Sequence, residues 1–212
     1  MQTCVIFCAG EFGGLAQPIG PQDYIIAADG GLTHVQKLGL TPHCILGDFD
    51  SLGYVPDDST VFPVEKDDTD SMLAVRRGLA LGYRRFVLYG ALDGKRLDHA
   101  IANLQTLQFL ADNGAVGYLA GLDTMAAVIQ TATLTLPAVQ EGIISVFCMG
   151  RDATGVTIRG LQYGLENGTL RAGFPLGVSN HFIGKISEIS VKDGSLLILY
   201  PTEVGFGEVA PC

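Results

Sequence analysis

The period of the hydrophobic pattern changes once along the chain, and that change constrains the fold more than any single motif. Up to about Leu122, short apolar runs at 3–9, 24–28, 44–46, 61–64, 86–89 and 116–120 alternate with segments of helical spacing. Met72, Val75, Leu79 and Tyr83 share one face of a helix over 71–83. Leu97, Ile101, Leu104, Leu107 and Ala111 do the same over 97–112. A shorter helix over 32–38 ends at Gly39, with Pro42 beyond it. Strand–helix alternation of this kind builds a mostly parallel sheet covered on both faces.

Beyond Leu122 the spacing becomes two. Val128, Gln130, Ala132, Leu134 and Leu136, mostly apolar, alternate with Ile129, Thr131, Thr133 and Thr135, mostly polar. Asn167-Gly168 and Asp193-Gly194 each lie between two such runs, where glycine at positive φ favours a hairpin turn. The expected fold is therefore an α/β N-terminal domain over 1–122 with a mostly parallel sheet. An all-β antiparallel sandwich or barrel follows over 123–212.

Composition narrows the partners. Apolar residues make up 48% of the 212 and charged residues 17%, which supports a sizeable core. The net charge of −9 argues against nucleic acid or an anionic membrane as the main partner, since both require a basic surface. The five cysteines, Cys4, Cys8, Cys44, Cys148 and Cys212, form no Cys-x-x-Cys, and most sit in or beside apolar runs. Buried free thiols in a reducing compartment are the expectation, hence a cytoplasmic protein.

Chemistry gathers after the strands, where open parallel sheets bind ligands. Asp29-Gly30-Gly31 follows the run at 24–28, and Gly47-Asp48-Phe49-Asp50-Ser51 follows 44–46. Glu65-Lys66-Asp67-Asp68-Thr69-Asp70 follows 61–64, and the segment from Gly90 to His99 follows 86–89. Four strand ends thus deliver carboxylates to one edge, while the loop Gly82-Tyr83-Arg84-Arg85 at the opposite edge carries base. Asp48 and Asp50 share a face in extended backbone and together suit a hard cation. Asp70 is either a further ligand or a first-turn helix acid. Arg96 can clamp phosphate through its planar fork. Asp98 can bind metal, accept an alcohol proton, or pair with Arg96. Asn103 bonds a nucleotide or the local backbone. Gly30 and Gly31 allow close approach of backbone to phosphate. Neither a Walker-type loop nor Gly-x-Gly-x-x-Gly occurs, so phosphate must be handled by metal, Lys66, Arg96 and loop amides.

Ala-Ala-Asp-Gly-Gly at 27–31, Gly-Asp-Phe-Asp-Ser at 47–51, Lys-Asp-Asp-Thr-Asp at 66–70 and Arg-Leu-Asp-His-Ala-Ile-Ala-Asn at 96–103 resemble the ordered motifs of thiamine pyrophosphokinases. Gly-Val-Ser-Asn-His at 177–181 is similar to that family's thiamine-side segment. The resemblance implies transfer of a diphosphoryl group from ATP to the hydroxyl of thiamine, with Mg²⁺ as cofactor and a homodimer as the working unit. It implies Asp48, Asp50 and Asp70 as metal ligands, with Asp29 close by. Arg96 and Asp98 would face the triphosphate and the reacting hydroxyl. Ser179 and Asn180, otherwise an ordinary polar turn, would contact thiamine. The chain lacks the tryptophan that some members stack on thiamine, leaving His181 or Phe182 in that stretch. Two alternatives stand beside this reading: a diphosphokinase for another alcohol such as a hydroxymethylpterin, and a non-catalytic thiamine or nucleotide sensor.

Overall fold

The computed structural model describes residues 2–50, 52–63 and 67–212. The chain divides into two compact units, 1–122 and 123–212. Among the described residues the first unit mixes strands with helices, and the second is built almost entirely of strands.

In the first unit, β1 (Cys4–Phe7), β2 (Tyr24–Ala28), β3 (Cys44–Gly47), β4 (Thr60–Val61), β5 (Arg85–Tyr89) and β6 (Val116–Ala120) pair in the order β4-β3-β2-β1-β5-β6. Every adjacent pair is parallel. The four residues of β1 are all buried, as a strand covered on both faces should be. From β1 the chain steps outward to β2, β3 and β4, then returns to lay β5 against β1's other edge. The topological switch point is therefore between β1 and β5, where sheets of this type receive ligands.

Among the described residues three α-helices serve this sheet: α1 (Leu32–Lys37), α2 (Asp70–Ala80) and α3 (Leu97–Asp112). Thr69 starts α2 as its N-cap, accepting a hydrogen bond from the Met72 amide at 3.2 Å. The helix closes on Leu81 and Gly82, three residues short of the periodicity's end, because Gly82 takes φ 92°. Gly78 lies against the Phe86 ring and Cys4 Sγ, so α2 approaches the sheet more closely than a larger residue would allow.

In the second unit every strand pairing is antiparallel. Its strands are β7 (Thr124–Gln130), β8 (Ala132–Val139), β9 (Ile143–Arg159), β10 (Leu165–Leu170), β11 (Gly177–His181), β12 (Lys185–Ser190), β13 (Asp193–Pro201) and β14 (Glu208–Pro211). The 17-residue β9 organises the rest. Its first half lies between β13 and β11, its second half between β12 and β10. The change of partners falls at Gly150 and Gly155, whose φ of 78° and 66° bend the strand.

Three sequence expectations are corrected here. Asn167-Gly168 is a bulge inside β10: Asn167 alone takes positive φ, 48°, and the register against β9 shifts around Gly168. Asp193-Gly194 does not join a hairpin, because β9 lies between β12 and β13 and the pair opens β13 instead. The alternating run around 128–136 is two strands, broken at Thr131 with φ 46°. Only β8 alternates. β7 buries five consecutive residues, Met125 to Ile129.

Candidate active site

The carboxyl ends of β2 and β3 build an acidic cluster. Ala28 hands over to Asp29 at φ 47°, the left-handed region, so the chain turns sharply and buries Asp29. Gly31 then presses on β1: a Cβ there would stand 1.9 Å from the Phe7 carbonyl oxygen. On β3, Gly47 (φ 151°) passes so close to Asp29 that a Cβ would meet its Cα at 3.0 Å. The Phe49 side chain is buried at φ 60°, which anchors the segment between two acids. Asp48 and Asp50 therefore do not meet through extended backbone, as the spacing suggested. They meet across a left-handed residue, with the Asp50 amide 3.4 Å from Asp48 Oδ1. Ligand oxygens of Asp29, Asp48 and Asp50 all lie within 4.8 Å of one another. An all-oxygen donor set of this kind fits a hard divalent cation.

Asp70 is not in that trio. It opens α2 and lies near the buried Cys8 thiol just past β1, whose pKa is pushed up to about 12 by burial first and by the Asp70 charge second. Asp68 is neutralised by Arg76, whose Nε stands 3.0 Å from its Oδ2. That guanidinium in turn lies over the Phe109 ring of α3, 4.8 Å from its centroid. Part of the crowding expected among Asp67, Asp68 and Asp70 is thus relieved from within the fold. Lys66 lies outside the described residues.

Arg96 and Asp98 are paired to each other. Arg96 Nε donates to both carboxylate oxygens, at 2.9 and 3.3 Å, and Nη2 donates to Oδ2 at 2.5 Å. The pair is exposed. The Arg96 hydrogen bonds hold the Asp98 carboxyl down at about 2. Asn103, one turn further along α3, is buried and engaged at both ends of its amide. Oδ1 accepts from Ser71 Oγ at 2.6 Å and Nδ2 donates to the Ala91 carbonyl at 2.6 Å.

The segment after β1, which the sequence reading passed over, lies at the switch point. Gly10 and Glu11 amides donate to the Gly90 and Asp93 carbonyls after β5, at 2.9 and 3.1 Å. His34 Nε2 of α1 bonds the Gly10 carbonyl at 2.9 Å, and the Phe12 ring packs on Phe7, Tyr89 and His34. Gly10, Gly13 and Gly14 immediately after an apolar run were the available signal.

In the second unit, Ser179 stands exposed at φ 57°. Its neighbour Asn180 is buried: Oδ1 accepts from the Tyr163 and His181 amides, each at 2.9 Å, and Nδ2 donates to the Tyr163 carbonyl at 2.7 Å. Phe182 is 3% exposed, so its ring is closed to a ligand. An open cavity of about 240 Å³ adjoins the start of β11, lined in part by Phe147, Cys148, Leu170, Phe174 and Gly177.

Two family profiles match this chain. Residues 15–116 match "Thiamin pyrophosphokinase, catalytic domain", and residues 132–196 match "Thiamin pyrophosphokinase, vitamin B1 binding domain". Together they span more than three quarters of the sequence. The chain belongs to the thiamin pyrophosphokinase family. It is an ATP-dependent thiamine diphosphokinase. No curated protein matches it significantly in sequence. Among solved structures, the fold is similar to the thiamine pyrophosphokinase of Bacillus subtilis (TM-score 0.81, 23% identity, 96% of this chain and 100% of that one). It is also similar to the enzyme of Geobacillus thermodenitrificans (TM-score 0.78, 24% identity, 95% and 97%). The thiamin pyrophosphokinase of Candida albicans is a more distant likeness (TM-score 0.71, 13% identity, 94% and 88%). Among the described residues, no helix is long and apolar enough to cross a membrane.

Proposed function

We propose that the family's diphosphoryl transfer runs at the carboxyl edge of the parallel sheet. The hydroxyl oxygen of thiamine attacks the β-phosphorus of ATP and gives its proton to solvent, the bond from that phosphorus to the α–β bridging oxygen breaks, and AMP leaves. The observation that carries this assignment is the meeting of Asp29, Asp48 and Asp50 within 4.8 Å beyond two adjacent parallel strands. Those three carboxylates, with Asp70 at the neighbouring helix start, would hold Mg²⁺. When bound, the ion supplies positive charge against the phosphate oxygens.

The chain's own cations do the remaining charge work. Arg96 exchanges part of its bond to Asp98 for phosphate oxygens, and Lys66 adds a second positive charge. The backbone at Gly30 and Gly31 lets phosphate approach closely. Asp98, freed in part as Arg96 turns to phosphate, accepts the hydrogen bond of the thiamine hydroxyl and orients that oxygen for attack. The acceptor end binds at the second unit, which the change of partners along β9 supports as a sandwich. Ser179 and Asn180 border it, and the exposed Phe174 beside the cavity offers an aromatic face to the thiazolium cation in place of a tryptophan. The working form is a homodimer, supported by the exposed apolar side chains of Phe174, Leu176 and Val178. Its compartment is the cytoplasm, supported by the free thiols of Cys4, Cys8, Cys44, Cys148 and Cys212.

The test is Asp48→Asn assayed for AMP release from ATP and thiamine. The expected result is loss of turnover by at least about a hundredfold with the fold intact by circular dichroism, the scale of removing a preorganised charge from a transferring phosphate. Near-normal turnover would remove Asp48 from the site.

A further inference from the structure

We propose that Asn103 is a positioning residue: through Ser71 it fixes the turn bearing Asp70 against the segment from Ala91 to Asp98. The proposal rests on the reading above, in which Asp70 and the Arg96–Asp98 pair flank the transferred group. It gives Asn103 a different task from contact with the nucleotide.

The hydrogen bonds form one directed chain. The Ala91 carbonyl can only accept, so the Asn103 amide nitrogen faces it and Oδ1 faces Ser71. Oδ1 can only accept, so the Ser71 hydroxyl spends its proton there. Ser71 Oγ must then accept from Thr69 Oγ1, 3.0 Å away. Thr69 Oγ1 still accepts the Met72 amide as the N-cap of α2. The order is Thr69 to Ser71 to Asn103 to Ala91, each hydroxyl or amide donating onward, an arrangement in which neighbouring bonds strengthen one another.

Its ends lie at the chemistry. Thr69 and Ser71 bracket Asp70 on α2. Ala91 lies in the segment after β5 that carries Arg96. Asn103 itself rides on α3, five residues beyond Asp98, about 7.5 Å along the axis. Ser71, Asn103 and Ala91 are all buried. In that setting an unmade bond is costly, so the chain resists stretching. The start of α2, the segment after β5 and α3 are thereby held to one spacing, and errors of about 1 Å in such spacing cost catalysis up to roughly a hundredfold.

The test compares Ser71→Ala, Asn103→Ala and the double variant, in the full chain with ATP and thiamine, alongside Asp70→Asn. Kinetics are read as kcat and as KM for ATP, Mn²⁺ affinity by paramagnetic resonance without substrates, and Tm by calorimetry. The expected result is that each single variant lowers kcat about tenfold or more while KM for ATP stays within about threefold. The double variant is no slower than the slower single one, because either change breaks the same chain. Mn²⁺ binds several-fold more weakly in both single variants. Three outcomes overturn the proposal: a raised KM in Asn103→Ala with Ser71→Ala silent, which makes Asn103 a nucleotide contact; a multiplicative double variant; or a lowered Tm with kcat unchanged, which makes the chain merely structural. If Asp70→Asn binds Mn²⁺ as tightly as the parent, the ligand assignment of Asp70 fails, and the kinetic comparison of Ser71 with Asn103 still decides the positioning role.

Discussion

Arg96 grips the Asp98 carboxylate with two nitrogens, Nε at 2.9 Å from Oδ1 and Nη2 at 2.5 Å from Oδ2. Only one residue separates them, and both are solvent-exposed. The pairing holds the Asp98 carboxyl down at about 2, so the folded-state pKa is depressed. Any stabilisation from the pair is therefore fully present above the ordinary aspartate value of about 3.9 and disappears as pH falls toward 2. Carboxyl-carbon NMR titration should find the Asp98 midpoint near 2 in the parent and raised toward the ordinary aspartate value in Arg96→Gln, the His99 and Asp98 amides keeping part of the depression. An unchanged midpoint in the variant would mean that something other than Arg96 depresses it.

The first unit was legible in the sequence because its elements are set locally. Period-3.6 faces over Met72–Val75–Leu79, apolar runs and the Thr69 cap each report on their own neighbourhood, and β2, β6 and α3 have the bounds that the pattern gives. The trio of acids was half legible. Asp48 and Asp50 announce themselves, but the third partner follows from β2 and β3 being neighbours and from Gly47 admitting Asp29. Asp70 stood out in sequence because it follows an acidic run, although part of that run is neutralised by Arg76, eight residues beyond Asp68. The second unit was less legible because β9 chooses its partners by long-range pairing. Asn-Gly and Asp-Gly mark positive φ, and positive φ serves a bulge or a strand start as well as a hairpin.

Gly31 should be the least substitutable residue of the turn after β2. In Gly31→Ala the new methyl carbon would lie 1.9 Å from the Phe7 carbonyl oxygen, inside buried backbone that cannot yield as a side chain would. A loss of about 2–3 kcal/mol is expected, at the upper end for overpacking, together with lost activity. Gly173→Ala is the control: nothing lies within 4 Å of its added carbon, and stability should stay within about 0.5 kcal/mol. Equal urea midpoints for the two variants would contradict the packing argument.

Asp29→Asn isolates charge from shape. Asparagine tolerates the left-handed φ of 47° at this position, so the turn survives. The Tm of the variant without metal sets the baseline from which its metal-dependent rise is read. With Mg²⁺ at a hundred times its Kd, the parent should gain about 2.7 kcal/mol, and the variant should lose most of that gain. Calorimetry with and without Mg²⁺ reads both effects. A variant that keeps the full metal-dependent rise would exclude Asp29 from the ligand set.

Ser179 and Asn180, adjacent in β11, should separate substrate binding from stability. Asn180→Ala leaves the Tyr163 amide and carbonyl and the His181 amide without their side-chain partner, and should cost about 1–3 kcal/mol. Ser179→Ala removes an exposed hydroxyl and should leave stability within about 0.5 kcal/mol. If the Ser179 hydroxyl contacts thiamine, the same change raises KM for thiamine several-fold while KM for ATP holds. Denaturant midpoints and initial rates at varied thiamine measure the two effects on the same proteins. A Ser179→Ala variant that unfolds early with normal KM would reverse the roles, making Ser179 the structural residue of the pair.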